Sequence, residues 1–389
     1  MKNWSLQLKA TITAHRKAIR ELADFVYNHP ETGFEEHQAA TRQVALLREN
    51  GFDVTTGIGG LDTAFKAIYG HGQPVVAILS EYDALPEIGH ACGHNLIMSA
   101  ALSAGIAVRE LMAANPEIPG TVVVVGTPAE ESKGGKVMLL RQGIFDDIDF
   151  ALASHPYPET LADQGALSVS RFTVRFHGKA AHAASSPHQG RNALDAMLLL
   201  FNGINCWRQQ LPDSSRVHGV ITSGGNVPNI IPDYTDAYFY LRALEISTHE
   251  EMETRFADIV KGAALMTGTT YELVKQDTPY LPIRINSPLN GFFLTQAPEY
   301  GLRPAGVNRY GMISTDVGNV SQQLPSANWF FKITDDGAPL HSEAFKAAAA
   351  SDFAFEQAMK MGATLASAAW KLLSDATFRD TVAADFRGV

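Results

Sequence analysis

Apolar residues recur at helical spacing through residues 5–27, where Leu8, Ile12, Ile19, Leu22, Phe25 and Val26 share a face. A second helix is expected over residues 36–50 and is stopped by Gly51. Short apolar runs follow at 63–69, 74–80, 121–127 and 149–154, each the length of a strand. The run 122–125 is four valines without a polar break, as in a strand buried on both faces. A long helix over 96–113 separates two of these runs. Strands alternating with helices predict an α/β domain whose mixed, largely parallel sheet is flanked by helices.

The texture changes near residue 168. Residues 168–176 alternate apolar and polar side chains, the mark of a half-exposed strand. A helix over 192–210, strands near 216–222 and 236–241, a helix near 250–266 and a strand near 270–275 complete the set. This order predicts an inserted α+β sandwich with one sheet face covered. Residues 168–282 are therefore read as a domain inserted into a larger one formed by 1–167 and 283–389. Beyond the insertion come a short apolar run at 329–333 and an Ala-rich helix over 344–373.

A chain of 389 residues is long for one core and fits two domains. Its net charge of −10 argues against nucleic acid, which calls for a basic stripe. No membrane span is expected from the apolar runs, and residues 1–20 lack the apolar core of a signal peptide. Two cysteines, Cys92 and Cys206, make no disulfide framework. The expected compartment is the cytoplasm.

Chemistry concentrates at the ends of the predicted strands, where α/β enzymes keep their sites. The run 74–80 leads into Glu81-Tyr82-Asp83, the run 121–127 into Glu130-Glu131, and the run 149–154 into His155. Any one of these alone reads as a helix cap or a loop residue. Together with Cys92 and His94, two residues apart, they read as a metal-assisted hydrolase, in which the ion acidifies water and a free carboxylate shuttles the proton. The position of Cys92 before a helix N-terminus is expected to favour thiolate.

The strings His90-Ala91-Cys92-Gly93-His94-Asn95, Gly126-Thr127-Pro128-Ala129-Glu130-Glu131, Gly178-Lys179-Ala180-Ala181-His182-Ala183 and Asn229-Ile230-Ile231-Pro232 resemble those of the M20 metallopeptidases. The resemblance is to the aminoacylase/amidohydrolase branch, subfamily D, and within it to the p-aminobenzoyl-glutamate hydrolase and M20-domain-containing dipeptidase group. It implies a catalytic domain with a two-metal site and a smaller lid domain that dimerises. It makes Cys92, His94, Glu131, His155 and His341 metal ligands and Glu130 the general base. His182 would donate to the substrate carbonyl oxygen in the partner's site, and Asn229 and Arg242 would bind substrate.

Two departures stand out. Glu81-Tyr82-Asp83 replaces the His-x-Asp of many members, leaving Asp83 to orient a ligand imidazole. Asn95 stands where the branch often has Asp. One or two ions are therefore expected, zinc first, with manganese or cobalt also compatible with carboxylate ligands. The expected reaction is hydrolysis of a small-molecule amide, an N-acyl amino acid or dipeptide with a free carboxylate, by a homodimer. The alternatives are a deaminase of an aromatic amine and a non-catalytic binding protein on the same scaffold.

Overall fold

The chain begins with α1 (Asn3–Asn28), α2 (His37–Glu49), β1 (Asp53–Thr56), β2 (Phe65–His71), β3 (Val75–Ser80), α3 (His94–Ala114), β4 (Gly120–Gly126), α4 (Gly135–Arg141) and β5 (Phe150–Tyr157). It continues with β6 (Ser170–His177), α5 (Ala193–Arg208), β7 (Arg216–Ser223), β8 (Tyr234–Arg242), α6 (Ile246–Thr267) and β9 (Thr270–Lys275). The last part is α7 (Ser287–Gln296), α8 (Val317–Gln323), β10 (Ser326–Lys332), α9 (Glu343–Ala349), α10 (Asp352–Ser374) and α11 (Ala376–Arg387). This computed structural model describes residues 3–131, 133–276, 278–306, 308 and 312–388. Two units emerge: Met1–Gly165 with Ile283–Met312 and Asp316–Val389, and Ala166–Pro282 with Ile313–Thr315.

The first unit carries a six-stranded sheet in the order β1-β2-β4-β3-β5-β10. The pairs β4/β3, β3/β5 and β5/β10 are parallel, and the β1/β2 and β2/β4 pairs are antiparallel. Successive side chains of a strand alternate between faces. Val122, Val124, Val76 and Ile78 thus enter one apolar cluster with residues of α1, α3 and α10. Val123, Val125, Ala77 and Leu79 enter a second cluster with Leu139, Ile148 and Val320. Both faces are covered, which is why the valine run has no polar break.

Helix α3 is the central helix of this unit. By length and composition it is apolar enough to cross a membrane, but 83% of that apolar window is buried inside the protein. A Cβ at Gly362 in α10 would collide with Ser103 in α3, so glycine allows these two helices to approach closely. The expected helix over 344–373 is instead two, α9 and α10. Ser351 interrupts it, its hydroxyl accepting from the Ala354 N–H at 3.1 Å as an N-cap. The alanine background hid that capping signal.

The second unit is a four-stranded antiparallel sheet, β7-β8-β6-β9, with α5 and α6 on one face. Phe172, Val174 and Phe176 of β6 and Ala237, Phe239 and Leu241 of β8 point into a core with Met197, Leu200, Phe256 and Val260. The tripeptide Ile313–Thr315 joins this unit through the Leu167 N–H, which donates to the Ile313 carbonyl at 2.8 Å. The α/β and α+β fold classes expected from the periodicity are both present.

Candidate metal centre

Strands β3 and β4 lie side by side and parallel, so their carboxyl ends deliver Glu81-Tyr82-Asp83 and Glu130-Glu131 at one edge of the sheet. His155 lies within β5 rather than after it, because the strand runs to Tyr157, three residues past its expected end. Cys92 precedes α3, whose first residue is His94. Between them Gly93 holds a φ of 74°, and a Cβ there would sit 2.9 Å from Pro156 Cγ, so glycine makes this approach possible. His341 comes from the loop before α9. Its backbone N–H donates to the Ala91 carbonyl at 3.0 Å, which fixes that loop beside Cys92.

Six side chains converge. Cys92, His94 and His155 offer ligand atoms within 4.8 Å of one another, as do Cys92, Glu131 and His341, and so do His94, Glu130 and Glu131. Cys92 Sγ lies 3.4 Å from His155 Nε2, and the other ring nitrogen of His155 donates to the Pro156 carbonyl at 2.6 Å. That bond puts the ring proton on Nδ1 and leaves the Nε2 lone pair facing the thiol. Likewise His94 Nδ1 donates to Asp83 Oδ1 at 3.0 Å, and Asp83 Oδ2 accepts from the Glu131 N–H at 3.0 Å. His94 Nε2 then points at Glu131 Oε1, 3.6 Å away, and Glu81 Oε2, 3.8 Å away. All three of these atoms are buried without a hydrogen-bond partner. His341 Nε2 lies 3.4 Å from Glu131 Oε2.

The electrostatics describe an anionic cluster. Burial would lower His94, but Asp83, Glu131 and Glu81 outweigh it and hold the imidazole up at about 10. His155 is pushed down to about 4 by burial and by His94, so it is neutral and able to ligate. Glu130 is raised well above the usual carboxylate range by burial and then by Glu81, Glu131 and Asp316. Glu131 stays low, because His341 and His94 overcome its burial. Cys92 corrects an expectation: burial, Glu131 and Glu130 raise its thiol instead of the helix N-terminus lowering it. A buried thiol, three imidazoles and two carboxylates, with orphaned atoms aimed inward, fit a divalent cation, whose charge opposes the upward shifts of Glu130, Cys92 and His94.

Of the remaining expected site residues, all in the second unit, His182 and Asn229 are neighbours. The Ala183 N–H donates to the Asn229 carbonyl at 2.9 Å. The Ala184 and Ser185 N–H groups both donate to His182 Nδ1 at 3.2 Å, so the exposed ring carries its proton on Nε2 and presents it as a donor. Arg242, at the end of β8, donates to Ser314 Oγ at 2.5 Å and to His218 Nε2 at 3.3 Å. His218 is thus an acceptor, kept neutral by burial and by Arg242.

The sequence missed two supports. Lys136, in the first turn of α4, is fully buried and bonded at 2.7 Å to both Glu81 and Asp316. A lysine inside an otherwise apolar first helical turn was the available signal. Glu36, also fully buried, accepts from the Ala129 N–H at 2.8 Å and from the Thr63 hydroxyl at 2.9 Å. Ala129 holds an unusual φ of 60° immediately before Glu130, so Glu36 fixes the backbone that presents the two carboxylates.

The carboxyl edge of the parallel strands thus carries a set of groups that could hold a metal ion. The chain belongs to peptidase family M20/M25/M40, whose family model matches residues 77–368. It is 40% identical over 296 residues to one of the subunits of the p-aminobenzoyl-glutamate hydrolase of Escherichia coli K12, covering 70% of this chain but 61% of that one, less than two thirds of its length. It is 33% identical to the Xaa-Arg dipeptidase of Mus musculus over 94% of this chain and 88% of that one. A putative aminohydrolase from methicillin-resistant Staphylococcus aureus shares the fold with a TM-score of 0.76 at 21% identity, over 93% of this chain and 99% of that one. So does the Bacillus subtilis YXEP protein, described as a dinuclear metal-binding M20 peptidase, with a TM-score of 0.69 at 19% identity over the same shares. The protein is accordingly an enzyme, a metallo-amidohydrolase or dipeptidase, and the non-catalytic alternative falls away.

Proposed function

We propose that this enzyme hydrolyses the amide bond between an acyl or aminoacyl group and an amino acid with a free carboxylate. The observation that carries this reading is the convergence of His94 Nε2 and Glu131 Oε1, both buried and unbonded, on a space bordered by Cys92 and Glu130. Cys92, His94, Glu131, His155 and His341 would hold one or two divalent cations. Zinc suits thiolate with imidazole, and manganese or cobalt also suit the carboxylates. A cation held there supplies Lewis acidity towards the substrate carbonyl and acidifies water. Glu130 takes the proton of the attacking water and returns it to the leaving amine. Asp83 keeps His94 in one tautomer, and His182 offers its Nε2–H to the developing oxyanion.

Arg242 supports a substrate with a carboxylate. Its pKa is lowered by burial and by the neighbouring Arg171, and its bonded partners, Ser314 and His218, are both neutral. A guanidinium so placed gains from an incoming anion and pairs with it through two parallel bonds. Candidate substrates are N-acyl amino acids, p-aminobenzoyl-glutamate and dipeptides ending in arginine, the last two suggested by the names of the relatives. Substrates with a free carboxylate are expected to exceed their amidated counterparts by about 30-fold or more in kcat/KM, since losing one desolvated charged contact costs roughly 2–5 kcal/mol. Arg242→Ala is expected to erase that preference at unchanged metal content. Equal turnover of free and amidated substrates by the unaltered enzyme would sink the carboxylate reading and favour an aromatic-amine substrate.

The second unit is proposed as a dimerisation domain that carries His182 into the partner's site. In support, among the described residues β7 and β9 are sheet edges, and Val220 and Val274 are 58% and 49% exposed on the face opposite α5 and α6. Mixed Glu130→Gln and His182→Ala subunits, allowed to exchange, are expected to regain activity that neither has alone. Exchange verified by mass spectrometry with no recovery would mean that each site is built from one chain.

A further inference from the structure

Three charged side chains beside the candidate centre are not used by the function proposed above. Lys136 Nζ lies 2.7 Å from Glu81 Oε1 and 2.7 Å from Asp316 Oδ1, and the Lys136 backbone N–H donates to Asp316 Oδ2 at 2.9 Å. Lys136 and Asp316 have no solvent exposure, and Glu81 has 3%. Asp316 stands at the start of α8, so its two oxygens pin the first turn of α4 to that helix. The ammonium is held at this height for a second reason. A Cβ at Gly135 would collide with the Pro128 carbonyl, so glycine lets α4 begin directly against the segment that carries Glu130.

One cation between two carboxylates leaves a net negative charge in a water-free place, which is costly unless another positive group meets it. The structure shows where that charge is left. Glu81 Oε1 is taken by Lys136, whereas Glu81 Oε2 is buried, has no hydrogen-bond partner, and faces His94 Nε2 at 3.8 Å. A brace between two helices would have needed only Lys136 and Asp316. We propose that Lys136, anchored by Asp316, is a positioning residue that turns Glu81 so that its free oxygen Oε2 donates to the divalent cation bound by His94. Glu81 is thereby a further carboxylate of the metal centre, standing where many members of the family carry a histidine. The ammonium then faces one oxygen of Glu81 and the divalent cation the other.

This inference rests on the centre proposed above being a metal site, and the experiment separates the two. Metal affinity is measured by competition with a fluorescent zinc chelator, and the visible spectrum of the cobalt(II)-loaded protein reports coordination number. Glu81→Gln keeps the size of the side chain and leaves the Lys136–Asp316 pair intact. It is expected to weaken zinc by at least about tenfold and to alter the cobalt(II) d–d bands in the direction of lower coordination number. Lys136→Met is expected to weaken zinc similarly by releasing Glu81. Because that variant strands two buried carboxylates and risks misfolding, the double variant Lys136→Met with Asp316→Asn is measured beside it, and it is expected to show the same loss in a folded chain. Wild-type affinity and an unchanged cobalt spectrum in Glu81→Gln would overturn the inference while leaving the metal centre standing. An unaltered enzyme that binds no zinc or cobalt would overturn both.

Discussion

Glu130→Gln is expected to retain its fold and its metal while losing roughly 10²–10⁴-fold in kcat, the usual contribution of a positioned proton-transfer group. The neighbouring substitution, Glu131→Gln, is expected to lose metal instead. The two carboxylates are adjacent in sequence but differ in surroundings. Glu131 is tied by its backbone N–H to Asp83 and by its carboxylate to His341 and His94, which keep it ionised. Glu130 carries the opposite shift, raised by burial and by Glu81, Glu131 and Asp316. A group that titrates this high without a cation becomes ionised when positive charge enters the cluster, and it stays a strong enough base to accept a proton from water. Elemental analysis and steady-state kinetics on both variants check the assignment. Loss of metal in Glu130→Gln with metal kept in Glu131→Gln would mean that the roles are exchanged.

Much of this centre was legible because short-range patterns carry it. The valine run of β4 announced a strand covered on both faces, and a parallel sheet sends its chemistry to one edge. Cys92 and His94 were visible by spacing, and the strings around Glu130, His182 and Asn229 by family resemblance. What stayed hidden depended on contacts across the fold. Nothing local in Lys136 says that it meets Glu81 and Asp316, 55 residues before it and 180 after it in the numbering. Glu36 reads as the start of a surface helix, yet it reaches 93 residues along the chain to the Ala129 N–H. The thiol of Cys92 was misjudged for the same reason. The nearby helix N-terminus is a local feature, whereas the burial that raises the thiol most, and the Glu131 and Glu130 carboxylates that add to it, arise from the packed fold. The break between α9 and α10 was a local signal overlooked, a Ser351 cap within alanines.

The second large effect expected is on the thiol. Cys92 belongs to two of the three ligand groups, one with His94 and His155 and one with Glu131 and His341, so its loss is expected to weaken metal binding. Cys92→Ser keeps the shape but replaces a soft sulfur ligand by a hard hydroxyl, and metal content and rate are expected to fall together by at least about tenfold. Turnover is expected to follow a cation bound by this cluster. The most direct test is to strip the enzyme with a chelator, then restore zinc, manganese or cobalt in measured increments while recording bound metal and hydrolysis of an N-acyl amino acid in the same sample. The expected result is no turnover in the stripped enzyme and a rate that rises with bound metal and levels off at one or two ions per chain. Full hydrolysis by a chain shown to be metal-free would contradict it.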